Sequence, residues 1–379
     1  MKEIPEYATK ELSRAKESSF NVYFNKDSLV IECFGELSFH TINVLLTKIS
    51  SVQNGKEYTG INLLLDFSKV HRIRPAAAMG MLCLCSALSA NKINGIINLS
   101  GIYLQRPYSN VLSYLITIGF FTQMGIKAGL LGCEDLVRAE SRRGEHRKSK
   151  IEELRKRNLR AFTSDAQIAD DNKSIVWPME TIPKKGESVR DRDFEDLCQR
   201  FINHARDYFE GLFSSSHFSF DKRDQYGFWE ANVELYKNIF EHSDSWGLGM
   251  IHAQPDYGTT VCYHDIGIGI KDSLNLSSKL GKEFNRFETD FEAMKWALDE
   301  GHSSKPDGNG IGLNIVEDFV LSRNGAIEVK SGQCLLYKKP GDQSGNEEWR
   351  CQNAPWFSGT QINFFIPCVT TAIKEKDSR

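Results

Sequence analysis

The sequence is short of several things, and each shortage removes a class of protein. It has no Cys-x-x-Cys pair: nine cysteines are scattered, and Cys83 and Cys85 are separated by one residue, too close for a zinc knuckle. That spread reads as reduced thiols in a cytoplasmic protein, not as a disulfide framework. It has almost no net charge, −3 from 47 basic and 50 acidic residues, so no global field steers it toward nucleic acid or an acidic partner. It has no uninterrupted apolar run of about twenty residues, the length a spanning helix needs. The nearest candidate, residues 111–131, is broken by Ser113, Tyr114, Thr117, Thr122, Gln123, Lys127 and three glycines, and reads as a buried helix followed by a strand. The first residues, Met-Lys-Glu-Ile-Pro-Glu, are charged and carry no apolar segment, so neither a signal peptide nor a membrane partner is expected.

What is present divides in two. With 379 residues, two domains are the default. In the first half, residues 29–34, 61–66 and 95–99 read as strands, the latter two apolar enough to be buried on both faces. Helices are expected over 38–49 and from Pro75 to residue 88, since Pro75 suits a first helical turn. Strands alternating with helices imply an α/β layer. Residues 134–174 are basic and then polar. That run could touch nucleic acid, but it lacks interleaved aromatics for base stacking, so a solvated linker is the favoured reading and no nucleic-acid partner is expected. Residues 192–213 are expected as an amphipathic helix in which His204 reads as structural. Late strands are expected at 325–330, 334–337 and 361–366, completing a mixed sheet, with residues 338–355 as a surface loop edged by Trp349 and Trp356.

Chemistry concentrates between Glu230 and Leu313, in three signatures. In the first, Glu234, Asn238 and His242 are spaced four apart and share one helix face, while Val233, Tyr236, Ile239 and Phe240 can pack inward. The face is either an exposed polar stripe or a wall for chemistry. An amide oxygen suits Mg²⁺, and a carboxylate one turn away can orient or deprotonate an attacking hydroxyl. The second signature, Asp265-Ile-Gly267-Ile-Gly269, ends a strand whose alternation runs from Thr259 to His264. A carboxylate there can accept from an exocyclic amine, and the two glycines let a flat base approach the backbone. A turn with a solvated Asp is the alternative. The third, Gly308-Asn-Gly310-Ile-Gly312-Leu313, opens a helix and frees backbone N–H groups for phosphates. Between the last two signatures lies a long polar segment with a short helix expected at 291–300. Lys305 follows it, either a point charge for a terminal phosphate or a solvated lysine.

These motifs, in this order, resemble the Bergerat-type ATP-binding fold shared by gyrase, Hsp90, histidine kinases and MutL, and most closely the anti-sigma-factor serine kinases. The resemblance implies roles residue by residue. Glu234 would be the catalytic base and Asn238 the Mg²⁺ ligand, with His242 beside it. Asp265 would bind the adenine amino group. Gly267, Gly269, Gly308, Gly310, Gly312 and Leu313 would shape the adenine pocket and phosphate loop. Gly359-Thr360 resembles the family's late Gly-Thr, whose Thr supports the Asp through water. The segment between the second and third signatures is longer than those kinases usually have.

The first half resembles the STAS domain of anti-anti-sigma factors, through Phe34-Gly35-Glu36-Leu37, Leu65-Asp66-Phe67-Ser68-Lys69-Val70 and the Ile118-Gly119-Phe120 closing segment. Where that family has a phosphorylatable Ser, this chain reads Arg74-Pro75-Ala76-Ala77-Ala78, with no hydroxyl to modify. Docking or sensing is then its expected role. The fold expected is therefore α/β: a STAS-like domain over residues 21–133 after an extension, 1–20, then a linker, 134–190, and a Bergerat-type α/β sandwich, 191–370, ahead of a polar tail, 371–379. That sandwich is expected as a mixed sheet with helices on one face. The expected function is Mg²⁺-dependent ATP hydrolysis or phosphorylation of a Ser or Thr on a partner, in bacterial signalling. The alternative is an ATP-gated interaction switch with negligible catalysis. A protein partner of the STAS or sigma-factor-regulator kind is implied, and a homodimer is among the assemblies the resemblance allows.

Overall fold

The structure, a computed structural model, describes residues 20–25, 28–53, 62–89, 98–103, 110–121, 123, 175–182, 222–254, 257–276, 287–299, 312–339 and 349–367. The fold is α/β and contains one mixed and one antiparallel sheet. Lys305, Gly308, Gly310, His204, the basic run of the linker and the helix expected at 192–213 lie outside the described residues.

The first unit runs β1 (Phe20–Asn25), β2 (Ser28–Leu37), α1 (Phe39–Gln53), β3 (Asn62–Ile73), α2 (Pro75–Ser89), β4 (Asn98–Tyr103) and α3 (Asn110–Thr117). Its sheet has the order β1-β2-β3-β4; β1 is antiparallel to β2, and β2, β3 and β4 are parallel. Parallel neighbours need a crossover, and α1 and α2 supply one each. Pro75 opens α2, where its missing N–H is no loss. The strand expected at 61–66 extends to Ile73, and the one expected at 95–99 is seen as Asn98–Tyr103.

The second unit runs β5 (Ile175–Ile182), α4 (Lys222–His242), β6 (Gly247–Gln254), β7 (Gly258–Asp265), α5 (Gly269–Leu276), α6 (Asp290–Leu298), α7 (Gly312–Ser322), β8 (Ala326–Lys338) and β9 (Arg350–Pro367). The strand order is β5-β6-β7-β9-β8, and every pairing is antiparallel. The expected mixed sheet is thus corrected, because each described neighbour in this sheet meets its partner head to tail. The first strand, β5, falls inside the stretch read as linker. Two further expectations change. The separate strands at 325–330 and 334–337 are one strand, β8, bent by register shifts around Gly332. The loop expected at 338–355 gives way at Arg350 to β9, which pairs with the far end of β8.

Alternation along these strands builds two different faces. Ile251 and Ala253 on β6, Val261 and Tyr263 on β7, and Ile362, Phe364 and Ile366 on β9 point toward α4 and α7, meeting Phe228, Leu235, Tyr236, Val316, Phe319 and Val320. Leu248, Met250 and Cys262 point the other way, into the cluster that also contains the α1 and α2 side chains. Helix α2 packs on β6, β7 and β9, and α1 on β9. The sheet therefore carries the described helices of its own unit on one face, and the first unit's helices pack on the other.

That shared layer is not purely apolar. One register row across the sheet reads Leu248, His264, Gln361 and Lys330, and the next reads Met250, Cys262, Asn363 and Glu328. Lys330 donates to Asn43 of α1, and His40 of α1 lies 3.3 Å from Glu328. Arg74 bridges the units, donating to Glu36 at 2.6 Å and to the Tyr257 hydroxyl at 3.1 Å. Burial pushes Lys330 down to about 7, and His252 and His264 down to about 4, so both rings are neutral at neutral pH. No described helix is long and apolar enough to cross a membrane.

Candidate functional site

The first signature lies on α4. Burial of Phe228, Ala231, Leu235, Tyr236, Ile239 and Phe240 fixes how the helix is rotated, which leaves Glu234, Asn238 and His242 half-exposed on the opposite stripe. Val233, expected inside, is only half-buried. Glu234 Oε1 accepts from Lys237 Nζ at 3.0 Å. Asn232, one turn before Tyr236, is fully buried: its amide donates to Phe228 O at 2.7 Å and accepts from the Tyr263 hydroxyl at 3.2 Å, pinning α4 to β7.

The second signature follows β7. Asp265 is 3% exposed, and its Oδ1 accepts the Gly267 N–H at 2.8 Å, folding the chain back over the strand end. The glycines are dictated by contact. A Cβ on Gly267 would lie 1.8 Å from the carbonyl oxygen of Ser243, and one on Gly359, which sits at φ +90°, would lie 2.6 Å from Asp265 Oδ1. Behind the turn, Ile266 packs in the same cluster as α2. On α2 itself, burial first and the Asp265 carboxylate second push the Cys83 thiol up.

The third signature is described from Gly312, the first residue of α7. A Cβ there would come 2.8 Å from Glu234 Oε2, which places the start of the helix beside the α4 carboxylate. Leu313 is half-buried against the core shared by α4 and α7. The structure thus brings together Glu234 and Gly312, and separately Asp265, Gly267 and Gly359. It places Asn238 and His242 on the Glu234 stripe. Thr360 stands 3.5 Å from the Ser331 hydroxyl, and the backbone of Gly359 packs on Asp265.

Sequence reasoning missed the residues that hold these pieces in place. Ser331 accepts from Ile270 N–H at 2.9 Å and donates to Gly359 O at 3.2 Å, tying the start of α5 to the β9 turn beside Asp265. Ser358 donates to Gly267 O at 2.8 Å, and Ile268 N–H donates to Ser243 O at 2.9 Å. Glu317 on α7 accepts from Lys338 at 2.5 Å and from Trp349 Nε1 at 3.1 Å. The only sequence signal for these serines is their nearness to glycines in turns. The expected helix at 291–300 is α6, which begins with a capping box between Thr289 and Glu292.

Chemically, the site offers a half-exposed carboxylate and amide on one helix, the bare N-terminus of another, and a buried carboxylate with glycine-lined backbone beside it. A helix N-terminus suits an anion, and a buried carboxylate suits a donor. Among the described residues, no group of three or more His, Cys, Asp or Glu side chains is placed to hold a metal ion.

No family profile matches the chain, and no curated protein matches it in sequence. Among solved structures it is similar to the anti-sigma factor antagonist SpoIIAA in its unphosphorylated form, with a TM-score of 0.21 and 20% identity, over 28% of this chain and 84% of that one.

Proposed function

We propose that the second unit is a Bergerat-type nucleotide site that binds ATP with Mg²⁺ and either hydrolyses it or phosphorylates a Ser or Thr of a partner protein. One observation carries the reading: Gly312 opens α7 beside Glu234 Oε2, while the buried Asp265 sits in a turn that only glycine at positions 267 and 359 accommodates. The residues fit the group. Asp265 would accept from the adenine amine, the α7 start would face phosphate, and Asn238 would hold Mg²⁺ through its amide oxygen. Bound there, ATP would supply the transferable phosphoryl group and Mg²⁺ would offset its charge. Glu234 would take the proton of the attacking hydroxyl, after giving up its contact with Lys237. The first unit, STAS-like in this reading, would be the docking or sensing module, with a STAS-domain or sigma-factor-type regulator as the protein partner.

The test is calorimetry of the full chain with MgATP and MgADP, joined to product analysis. Saturable ATP uptake is expected; no uptake of ATP or a close analogue refutes the proposal. The Glu234–Lys237 contact favours a second reading, a nucleotide-gated switch in which the carboxylate stays engaged and turnover is negligible. Transfer of label from γ-labelled ATP to a purified partner eliminates that version.

A further inference from the structure

At the end of the second sheet away from Lys330, two of the nine cysteines face one another. Cys334 on β8 and Cys351 on β9 hold their sulfurs 3.6 Å apart. The register sets Cys334 opposite Asn353 and Leu336 opposite Cys351, so the two are diagonal neighbours on one face. A register shift between Gly332 and Cys334, with Gly332 at φ +57°, skews β8 at this point. A disulfide spans about 2.05 Å, so the bond forms from this contact with a small shift of the two strands together with side-chain rotation.

Exposure separates the two thiols. Of the six described cysteines, Cys351 is exposed, while Cys33, Cys83, Cys85, Cys262 and Cys334 are buried. Burial, then the contact with Cys351, then the Asp290 carboxylate raise the Cys334 pKa, so Cys334 is the less readily oxidised first of the two sulfurs. An oxidant from solvent therefore meets Cys351 first, with Cys334 already within reach.

We propose that Cys334 and Cys351 form a reversible intramolecular redox couple whose oxidant is a hydroperoxide. The Cys351 thiolate attacks the O–O bond of the peroxide; that bond breaks, hydroxide leaves and takes up a proton, and Cys351 becomes a sulfenic acid. The Cys334 sulfur then attacks the sulfenic sulfur, the S–O bond breaks, and the Cys334 proton leaves with the departing hydroxide as water. Two thiols and one hydrogen peroxide give one disulfide and two waters, and a low-molecular-weight thiol reverses the step by exchange. The couple lies between two anchors of the same hairpin: the Gln333 N–H donates to Asp290 of α6 at 2.9 Å, and Lys338 and Trp349 hold Glu317 of α7. Oxidation would link the two strands that grip these helices, a change independent of whether the second unit binds ATP.

The experiment treats the reduced full chain with a few equivalents of hydrogen peroxide, then blocks free thiols, digests and maps peptides by mass. A Cys334–Cys351 linked peptide, two hydrogens lighter than its parts and released by dithiothreitol, is expected. Cys334→Ser should leave Cys351 as a sulfenic acid that reacts with dimedone. The exposed-site variant Cys351→Ser, which leaves the buried position intact, should abolish the link and leave Cys334 reduced. The proposal is overturned if wild-type Cys351 accumulates as dimedone-reactive or over-oxidised sulfur without the link, or if it pairs with a different cysteine.

Discussion

Acid should loosen this protein through two histidines that its fold holds neutral. His264 is fully buried, with Asn363 Oδ1 2.8 Å from its Nε2, the Phe39 ring 6.2 Å away and Lys330 adding unfavourable charge. His252 packs 5.4 Å from the Tyr114 ring, with Arg74 and Arg72 opposing its protonation. Burial is the first cause in both, and each falls from 6.5 to about 4. The unfolded chain therefore binds more protons between those values. The stabilisation is complete above 6.5, is lost as pH falls through that window, and changes no further below about 4. From pH 7.5 to 5.0, linkage with these values gives a loss of about 2 kcal/mol for each ring, about 4 for the pair. Carboxylates titrate nearby, so the measurement is a difference: urea unfolding of wild type and of His252→Gln/His264→Gln at both pH values. Glutamine keeps a donor for Asn363 but takes up no proton. Wild type should lose about 4 kcal/mol more than the variant on acidification; equal losses would refute the claim that these rings are buried neutral.

Three further outcomes are expected. Glu234→Gln should abolish ATP turnover while leaving ATP affinity largely unchanged, checked by product analysis and calorimetry; normal turnover removes Glu234 from the reaction. Gly267→Ala drives a Cβ into the Ser243 carbonyl, so it should cost about 2 kcal/mol in chemical unfolding, the scale of overpacking, and weaken ATP binding with it. Glu317→Ala removes the acceptor shared by Lys338 and Trp349, and should cost about 3 kcal/mol by the same assay, because it strands a largely buried ammonium.

The sequence by itself determined the local elements and the candidate chemistry. Four-residue spacing put Glu234, Asn238 and His242 on one stripe, because helical geometry depends only on neighbours along the chain. Alternation from Thr259 to His264 marked β7, and Pro75 marked the start of α2, for the same local reason. Only the tertiary structure decided what is set by contacts distant in the chain. It made the described pairings of the second sheet all antiparallel, joined residues 326–338 into one strand, and extended the strand expected at 361–366 back to Arg350 through an apparent loop, since strand partners are not written in a strand's own pattern. It also placed the first unit's helices on the second sheet, where the buried polar rows of that face make sense of His264, Lys330 and Asn363. And it assigned Ser331, Ser358 and Glu317 their bonds, which join residues dozens of positions apart and leave no periodic trace.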